Sequence, residues 1–130
     1  LCKVNIRQAR RDLLDSLGCL QQISRAKISL NVMPWFKDGA HDRVFNSMLN
    51  GAVCLSDGSR YLDECLKDGE DYVKYDLADL AELPGKTRRI LSHPEEWKKM
   101  QKKAYALAEK KHTWANRARR IHEEILCKMP

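Results

Sequence analysis

Residues 34–57, PWFKDGAHDRVFNSMLNGAVCLSD, decide the fold. They contain a polar loop, an amphipathic helix over residues 41–50, an Asn50-Gly51 pair and an apolar strand over residues 52–55. Apolar residues three and four apart indicate one buried helix face, and the Asn-Gly pair is typical of a helix C-terminus. A strand that is apolar at every position is typical of a parallel sheet covered on both faces. The segment therefore predicts a loop–helix–strand unit of a parallel sheet.

Similar patterns extend this unit in both directions. Further strands are predicted over residues 27–33 and 71–75, and Gly18 is predicted to stop or bend the first helix. Pro84-Gly85 and His93-Pro94 are predicted to interrupt the helical C-terminal third. Helices are predicted over residues 5–16, 20–25, 60–66, 76–83, 86–92, 94–111 and 113–127.

Alternating strands and helices predict an α/β fold with a Rossmann-like parallel sheet covered by helices. Because such sheets usually have five or six strands and only three are found, we expect further strands to precede residue 1. The absence of an initiator Met supports the same expectation, so residues 1–130 are interpreted as a single partial domain, truncated at its N-terminus. Residues 86–130 are predicted to form a helical C-terminal third that packs on it.

Two apolar stripes in this helical third are predicted to be core. Apolar side chains recur at helical spacing within each stripe, as expected for a helix with one buried face. The first stripe contains Trp97, Met100, Ala104, Leu107 and Ala108, and the second contains Trp114, Ala118, Ile121 and Ile125.

Composition excludes several classes of protein. No apolar run approaches the roughly 20 residues that a transmembrane helix needs, and the first residues have no signal-peptide pattern. The five cysteines form no C-x-x-C pair, which favours a reducing, cytoplasmic location over a disulfide framework. Cys54 lies in the apolar strand and is interpreted as a small hydrophobic residue rather than a nucleophile.

Positive charge is concentrated near the C-terminus. Residues 1–85 contain 11 basic and 13 acidic side chains, whereas residues 86–130 contain 13 and 5. A basic patch of this kind is compatible with nucleic acid or an anionic membrane surface. Because no aromatic residues alternate with the lysines, we favour a solvated helix face and keep a nucleic-acid-binding module as an alternative.

Candidate chemistry is concentrated in the loop before the central helix. Asp38, His41, Asp42 and Arg43 surround Gly39 there. A loop that leaves a parallel strand and enters a helix N-terminus collects anions, because free N–H groups and the helix dipole point to it. A structural alternative is that these side chains only cap the helix or form surface ion pairs.

Other sites are not indicated by the sequence. The four histidines lack the spacing of a zinc site, so no metal is expected. The chain contains no G-x-G-x-x-G, G-x-x-x-x-G-K or G-x-S-x-G motif, which argues against a dehydrogenase, a P-loop enzyme and an α/β-hydrolase.

Three segments carry a resemblance to a known family: HDRVFNSMLNGAVCLSD (residues 41–57), LSHPEEWKKM (residues 91–100) and KHTWANRARRIHEEIL (residues 111–126). Together they resemble the C-terminal half of GT-B glycosyltransferases, in particular the group-1 branch that includes the CgeB-like spore maturation proteins. The similarity extends from about Ala26 to Leu126.

The resemblance implies a donor site for a nucleotide-diphosphate sugar. The two acidic positions of the family fall on Asp38, which would face the sugar, and on Asn46, which would bind the ribose with a neutral amide instead of a carboxylate. The diphosphate would lie over the loop backbone. The implied donor-binding residues are Asp38, Gly39, Ala40, His41, Arg43 and Asn46.

The resemblance also implies the partners. An N-terminal acceptor-binding domain of the parent chain would supply the catalytic base for an unknown acceptor, so this chain alone would not turn over substrate. The catalytic residues are unknown, and no cofactor is expected beyond the donor substrate. The altered acidic pair keeps open a second alternative, a noncatalytic interaction domain on the same scaffold.

Overall fold

The computed structural model describes residues 16–127. A short 3₁₀ helix spans Leu80–Glu82. In chain order the main elements are α1 (Ser16–Arg25), β1 (Ile28–Asn31), α2 (Asp42–Leu49), β2 (Val53–Ser56), α3 (Arg60–Cys65), β3 (Val73–Lys74), α4 (Leu83–Ser92), α5 (Pro94–Lys111) and α6 (Trp114–Leu126).

The three strands form a parallel sheet in the order β1-β2-β3. Ile28 pairs with Val53, and Leu55 pairs with Val73. Helices connect the strands, as parallel pairing requires. The α/β, Rossmann-like prediction is therefore confirmed, as is the helical C-terminal third.

The outer strands are shorter than predicted because hydrogen bonds to side chains replace strand pairing at their ends. Beyond β1, the N–H of Met33 donates to the Asp57 carboxylate at 3.0 Å. Before β3, the Asp71 carboxylate accepts from the N–H of Lys67 at 2.9 Å and closes a turn. Residues 27–33 and 71–75 therefore contain strands of only four and two residues.

One face of the sheet is covered by α2, α3 and the second half of α5. Cys54 is fully buried there, and its burial raises the pKa of the thiol to about 12. A thiol with so high a pKa is not a nucleophile at neutral pH, which agrees with its interpretation as a small hydrophobic residue. The cluster comprises Val44, Phe45, Met48, Cys54, Leu62, Leu66, Tyr72, Ala104 and Ala108.

The other face is covered by α4 and the first half of α5. Its buried cluster comprises Val53, Leu55, Tyr75 and Ile90, against which Trp97 and Met100 pack. Because α5 contributes Trp97 to this cluster and Ala104 to the opposite one, it crosses from one face of the sheet to the other. The prediction that the first apolar stripe is core is confirmed.

The second apolar stripe is not core, and that prediction is wrong. Trp114 is 76% exposed, Ile121 60% and Ile125 53%. The reason is that α6 attaches through a polar face: Asn116 Nδ2 donates to the carbonyl of Glu109 at 2.8 Å, and the Arg117 guanidinium lies 5.2 Å from the Phe45 ring centroid.

Three predicted helix boundaries are also wrong. Gly18 lies inside α1, so the helix does not stop there, and of the two predicted effects of Gly18 only a bend remains. Pro84 and Gly85 lie in the first turn of α4, where proline is tolerated because first-turn N–H groups need no helical partner. The predicted helix over residues 76–83 is reduced to the 3₁₀ helix. The helix predicted over residues 5–16 falls, except for Ser16, outside the described residues.

The junction of α5 and α6 buries a histidine. The His112 ring stacks on Phe45 with centroids 4.3 Å apart, and burial lowers its pKa. Its Nε2 has no hydrogen-bond partner in the described part of the chain. No helix within residues 16–127 is both long enough and apolar enough to span a bilayer.

Candidate functional site

The carboxyl ends of the strands meet around one buried side chain, Asn31. Its Nδ2 donates to Ser56 Oγ at 3.0 Å, and its Oδ1 accepts from Arg43 Nη1 at 3.2 Å. Its main-chain carbonyl accepts from the Tyr75 hydroxyl at 2.9 Å. Asn31 thus joins all three strand ends to α2 and holds the Arg43 guanidinium at this edge of the sheet.

A second buried group, the Asp57 carboxylate, anchors the loop after β1. Besides the N–H of Met33, it accepts from Lys37 Nζ at 2.7 Å, and its side chain has no exposed surface. The N–H of Arg60 donates to the carbonyl of Lys37 at 2.8 Å. The loops that follow β1 and β2 are therefore bound to each other, which fixes the backbone of residues 33–41 against the sheet edge.

Gly39 and Ala40 present free N–H groups in this loop. The carbonyl of Gly39 accepts from Ser59 Oγ at 2.6 Å, and Ala40 packs against the core. A Cβ at position 39 would overlap the ring of Phe36, so only glycine fits without movement of that ring. Within residues 16–127, neither N–H has a hydrogen-bond partner. These two donors lie directly before the N-terminus of α2, where the helix dipole favours an anion.

His41 caps α2. Its Nδ1 accepts from the N–H of Arg43 at 3.0 Å, and its own N–H donates to Met33 Sδ at 3.0 Å. The alternative in which Asp38 or Asp42 caps the helix is therefore wrong. Because the N–H of His41 already donates to Met33, it is less available to an anion than the N–H groups of Gly39 and Ala40.

The two positions that the resemblance assigns to sugar and ribose differ in their surroundings. The Asp38 carboxylate is exposed and forms an ion pair with Arg60 at 3.2 Å. Asn46 lies on α2 one turn beyond Asp42, and its Nδ2 is 3.5 Å from the Asp42 carboxylate. Both side chains are held only by weak surface interactions, so a ligand can compete for them.

Several residues of the site were not singled out from the sequence. Asn31, Lys37 and Asp57 form its frame, and Trp35, 95% exposed, projects from the same loop. For Asn31, the sequence offered one signal, since it is the polar residue at the end of the β1 segment. The pairing of Lys37 with Asp57 had no signal, because it joins residues 20 positions apart. In the described residues, no three His, Cys, Asp or Glu side chains cluster so as to hold a metal ion.

The chain is similar to a known family over most of its length. Residues 4–123 match the model of a family described as glycosyl transferase-like. The chain belongs to the glycosyl transferase-like family. No curated protein and no solved structure gives a significant match.

The glycosyl transferase-like match includes the whole site described above. It covers the three strands, the loop before α2 and most of α6. It also begins at residue 4, well before Ala26, where the resemblance in the sequence begins. The glycosyl transferase-like domain therefore extends over nearly the whole chain, including residues before α1.

Proposed function

We propose that this glycosyl transferase-like domain binds a nucleotide-diphosphate sugar at the carboxyl edge of its sheet, for transfer of the sugar to an acceptor. The observation that carries the proposal is the anchored loop: its Gly39 and Ala40 N–H groups have no partner among residues 16–127, and Asn31 holds the Arg43 guanidinium at the same edge of the sheet. In α/β proteins, ligands bind outside the carboxyl ends of the strands. Family membership supplies the reaction class.

The diphosphate is assigned to the loop and the first turn of α2. Two N–H donors, the helix N-terminus and a guanidinium together match an anion with several oxygens. The Arg43 guanidinium uses one nitrogen for Asn31, and its other N–H groups have no partner among residues 16–127. Because Asn31 is buried and fixed, the guanidinium is held in place before the ligand arrives, which lowers the entropic cost of binding.

The sugar and the ribose are assigned to Asp38 and Asn46. An amide at position 46 both donates and accepts hydrogen bonds, but its bonds to ribose hydroxyls lack the strength that a carboxylate gives. When the donor binds, the Asp38 carboxylate would leave its exposed ion pair with Arg60 and contact the donor sugar instead. We expect donor binding to be weaker than with an acidic residue at position 46.

Transfer would form a bond between the acceptor oxygen and the anomeric carbon while the bond from that carbon to the distal phosphate oxygen breaks. The electron pair of the broken bond stays on the diphosphate, whose negative charge increases. Arg43 and the loop N–H groups would stabilise that charge in the transition state. The acceptor proton would pass to a base, which we assign to an N-terminal acceptor-binding domain of the parent chain.

Calorimetric titration of UDP, GDP and their sugar conjugates tests the proposal. We expect submillimolar binding of at least one diphosphate, weakened about tenfold in Arg43→Gln, which corresponds to about 1.4 kcal/mol. Arg88→Gln, on α4 and outside the site, is the matched control and should bind like the wild type. Absence of binding up to millimolar concentrations of every nucleotide would overturn the proposal.

Restoring the acidic residue gives a complementary test. Asn46→Glu should tighten nucleotide binding about fivefold, because a charged acceptor forms stronger hydrogen bonds to the ribose. Asn50→Glu, at the other end of α2, is the control and should have no effect on affinity. An equal gain in both variants would mean that general charge, and not the ribose contact, is responsible.

Asn46 also supports a second candidate, a noncatalytic interaction domain on the same scaffold. Loss of the carboxylate weakens the contact that holds the donor. Assays of donor consumption by the parent protein distinguish the two candidates: nucleotide binding without transfer or hydrolysis favours the noncatalytic role, and turnover favours the enzyme.

A further inference from the structure

A cavity lies on the outer side of β3, away from the carboxyl edge of the sheet. Its volume is about 640 Å³, and it is bordered by the loop before β3 and by α4 and α5. Volumes of this size are typical of sites for small molecules. Neither the family nor the proposed donor site assigns it a ligand.

The floor of this cavity is apolar. It is formed by Val73, Ile90, Trp97 and Met100. All four belong to, or pack against, the core cluster on the α4 side of the sheet. The core is thus incompletely covered between β3 and α5, and a ligand with an apolar body would complete its burial.

The backbone of β3 is not available to an added strand. The N–H of Lys74 donates to Asp68 Oδ1 at 2.7 Å, and the carbonyl of Lys74 accepts from Lys86 Nζ. Because both outward-facing groups are already paired, strand addition would have to break charged hydrogen bonds. The cavity therefore suits a small molecule rather than an extended peptide.

Two cations on the rim have no anionic partner. Of the four lysines and arginines that line the cavity, Lys86 is paired with Glu82 and Lys103 with Glu70. Arg89 and Lys99 form no ion pair within residues 16–127, and Glu96 is the one lining carboxylate there without a hydrogen bond. Asp68 also lines the cavity without an ion pair among residues 16–127, but its carboxylate is engaged by the N–H of Lys74. The side chains of Arg89 and Lys99 are thus two cations above an apolar floor that remain available to an acidic ligand.

We propose that this cavity binds a small organic anion. Its apolar or aromatic body would cover Trp97, Met100 and their neighbours, and its acidic group would pair with Arg89 and Lys99. Arg89 suits a carboxylate, sulfonate or phosphate because its planar guanidinium forms two parallel hydrogen bonds. The inference is independent of the proposed donor site, which lies at the carboxyl ends of the strands.

Two fluorescent probes with nearly the same apolar body test the proposal. 1-Anilinonaphthalene-8-sulfonate carries the acidic group, and N-phenyl-1-naphthylamine lacks it. We expect saturable binding of the sulfonate and at least fivefold weaker binding of the neutral probe. Equal affinity for both probes would overturn the proposal, because the rim charges would then have no role.

Charge-removing variants locate the acidic group. Arg89→Gln/Lys99→Gln should weaken sulfonate binding at least fivefold. The control Arg88→Gln/Lys102→Gln removes the same charges from the same two helices outside this cavity, and should stay within twofold of the wild type. All four side chains are exposed, so the variants should fold, which circular dichroism verifies. Equal losses in both double variants would overturn the proposal.

Nuclear magnetic resonance locates the apolar body. The indole N–H resonance of Trp97 should shift on titration with the sulfonate, whereas that of Trp35 should not. Excess UDP should leave the probe bound. Displacement by UDP, or a shift confined to Trp35, would place the probe at the carboxyl edge and contradict the proposal without affecting the donor hypothesis.

Discussion

The two outer strands of the sheet differ in how their free edges are protected. At β3, the side chains of Asp68 and Lys86 pair with the outward-facing N–H and carbonyl of Lys74. At β1, the N–H of Val53 donates to the carbonyl of Lys27, so Ile28 and Leu30 direct their backbone groups away from β2. No side chain among residues 16–127 pairs with those groups. Within residues 16–127, the β3 edge is therefore protected against strand addition and the β1 edge is not.

The side chains along the two edges differ in the same way. Leu30 is 51% exposed, and an apolar groove of about 570 Å³ runs beside it, lined in part by Ile28, Leu83 and Leu91. At β3 the rim of the cavity is charged. β3 thus has the features of a true edge strand. β1 has an unpaired backbone edge and an exposed leucine, which are typical of a strand that pairs with a further strand.

The largest effect is expected where β1 is tied to the middle strand. Asn31→Ala removes both side-chain hydrogen bonds of Asn31 and leaves Ser56 and Arg43 without their partner, so it should lower the free energy of unfolding by about 3 kcal/mol. Urea denaturation measures the loss. Asn50→Ala, which removes one partly buried hydrogen bond, should cost less than about 1 kcal/mol. Similar losses in both variants would show that the Asn31 side chain does not connect β1 to the middle strand.

The next effect concerns the unprotected edge. We expect the 130-residue chain to self-associate through β1 and Leu30→Lys to weaken that association at least tenfold, because a charged lysine on an edge strand opposes pairing. Sedimentation velocity measures the dissociation constant. Leu80→Lys, at an equally exposed leucine away from the sheet, should leave it unchanged. A chain that stays monomeric at several hundred micromolar would show that the β1 edge is not open to strand addition.

A smaller effect is expected at the protected edge. Lys86→Met removes the ammonium that pairs with the carbonyl of Lys74, and its partial exposure reduces the expected cost to about 1 kcal/mol. Lys98→Met removes an ion pair between two exposed side chains and should change stability by less than about 0.5 kcal/mol. Hydrogen exchange of residues 73 and 74 should accelerate only in the first variant; unchanged exchange would remove Lys86 from the protecting role.

The smallest effect is a pH dependence at β3. The N–H of Asp76 and the ammonium of Lys86 donate to Glu82 and lower its pKa below 4.5. A carboxyl group with a lowered pKa in the folded state stabilises the fold above pH 4.5, and the contribution is lost as the pH falls below that value. The wild type should therefore exceed Glu82→Gln in stability at pH 6 and lose this advantage towards pH 3.

Denaturation of Glu82→Gln and the wild type at several pH values measures this dependence. Glu95→Gln, a variant of an exposed surface carboxylate, serves as the control. A difference between Glu82→Gln and the wild type that is constant with pH would contradict the assigned cause.

Much of the fold could be predicted because its signals are local. The helix predicted over residues 41–50 is observed as Asp42–Leu49, and the apolar run at residues 52–55 is the buried middle strand. Periodicity showed that residues 114–125 have an apolar face, but it did not reveal that a polar face attaches the helix. What covers a face depends on tertiary contacts, which spacing does not encode.

The candidate site was predictable to a smaller degree. Its loop and first helical turn are contiguous in sequence, so Gly39, His41 and Arg43 were recognised together. The frame that fixes them is long-range: Arg43 meets Asn31 across 12 positions, and Lys37 meets Asp57 across 20. The assignment of His41 as the helix cap also depended on geometry, since aspartate is the commoner residue at that position.

The crossing of α5 from one face of the sheet to the other has a consequence for unfolding. Trp97 and Met100 pack against one cluster and Ala104 and Ala108 belong to the other, so neither cluster can lose this helix alone. A helix shared by two cores couples their melting. Heat or denaturant should therefore disrupt both sides in one cooperative transition, with coincident curves from Trp97 fluorescence and from Cys54 alkylation.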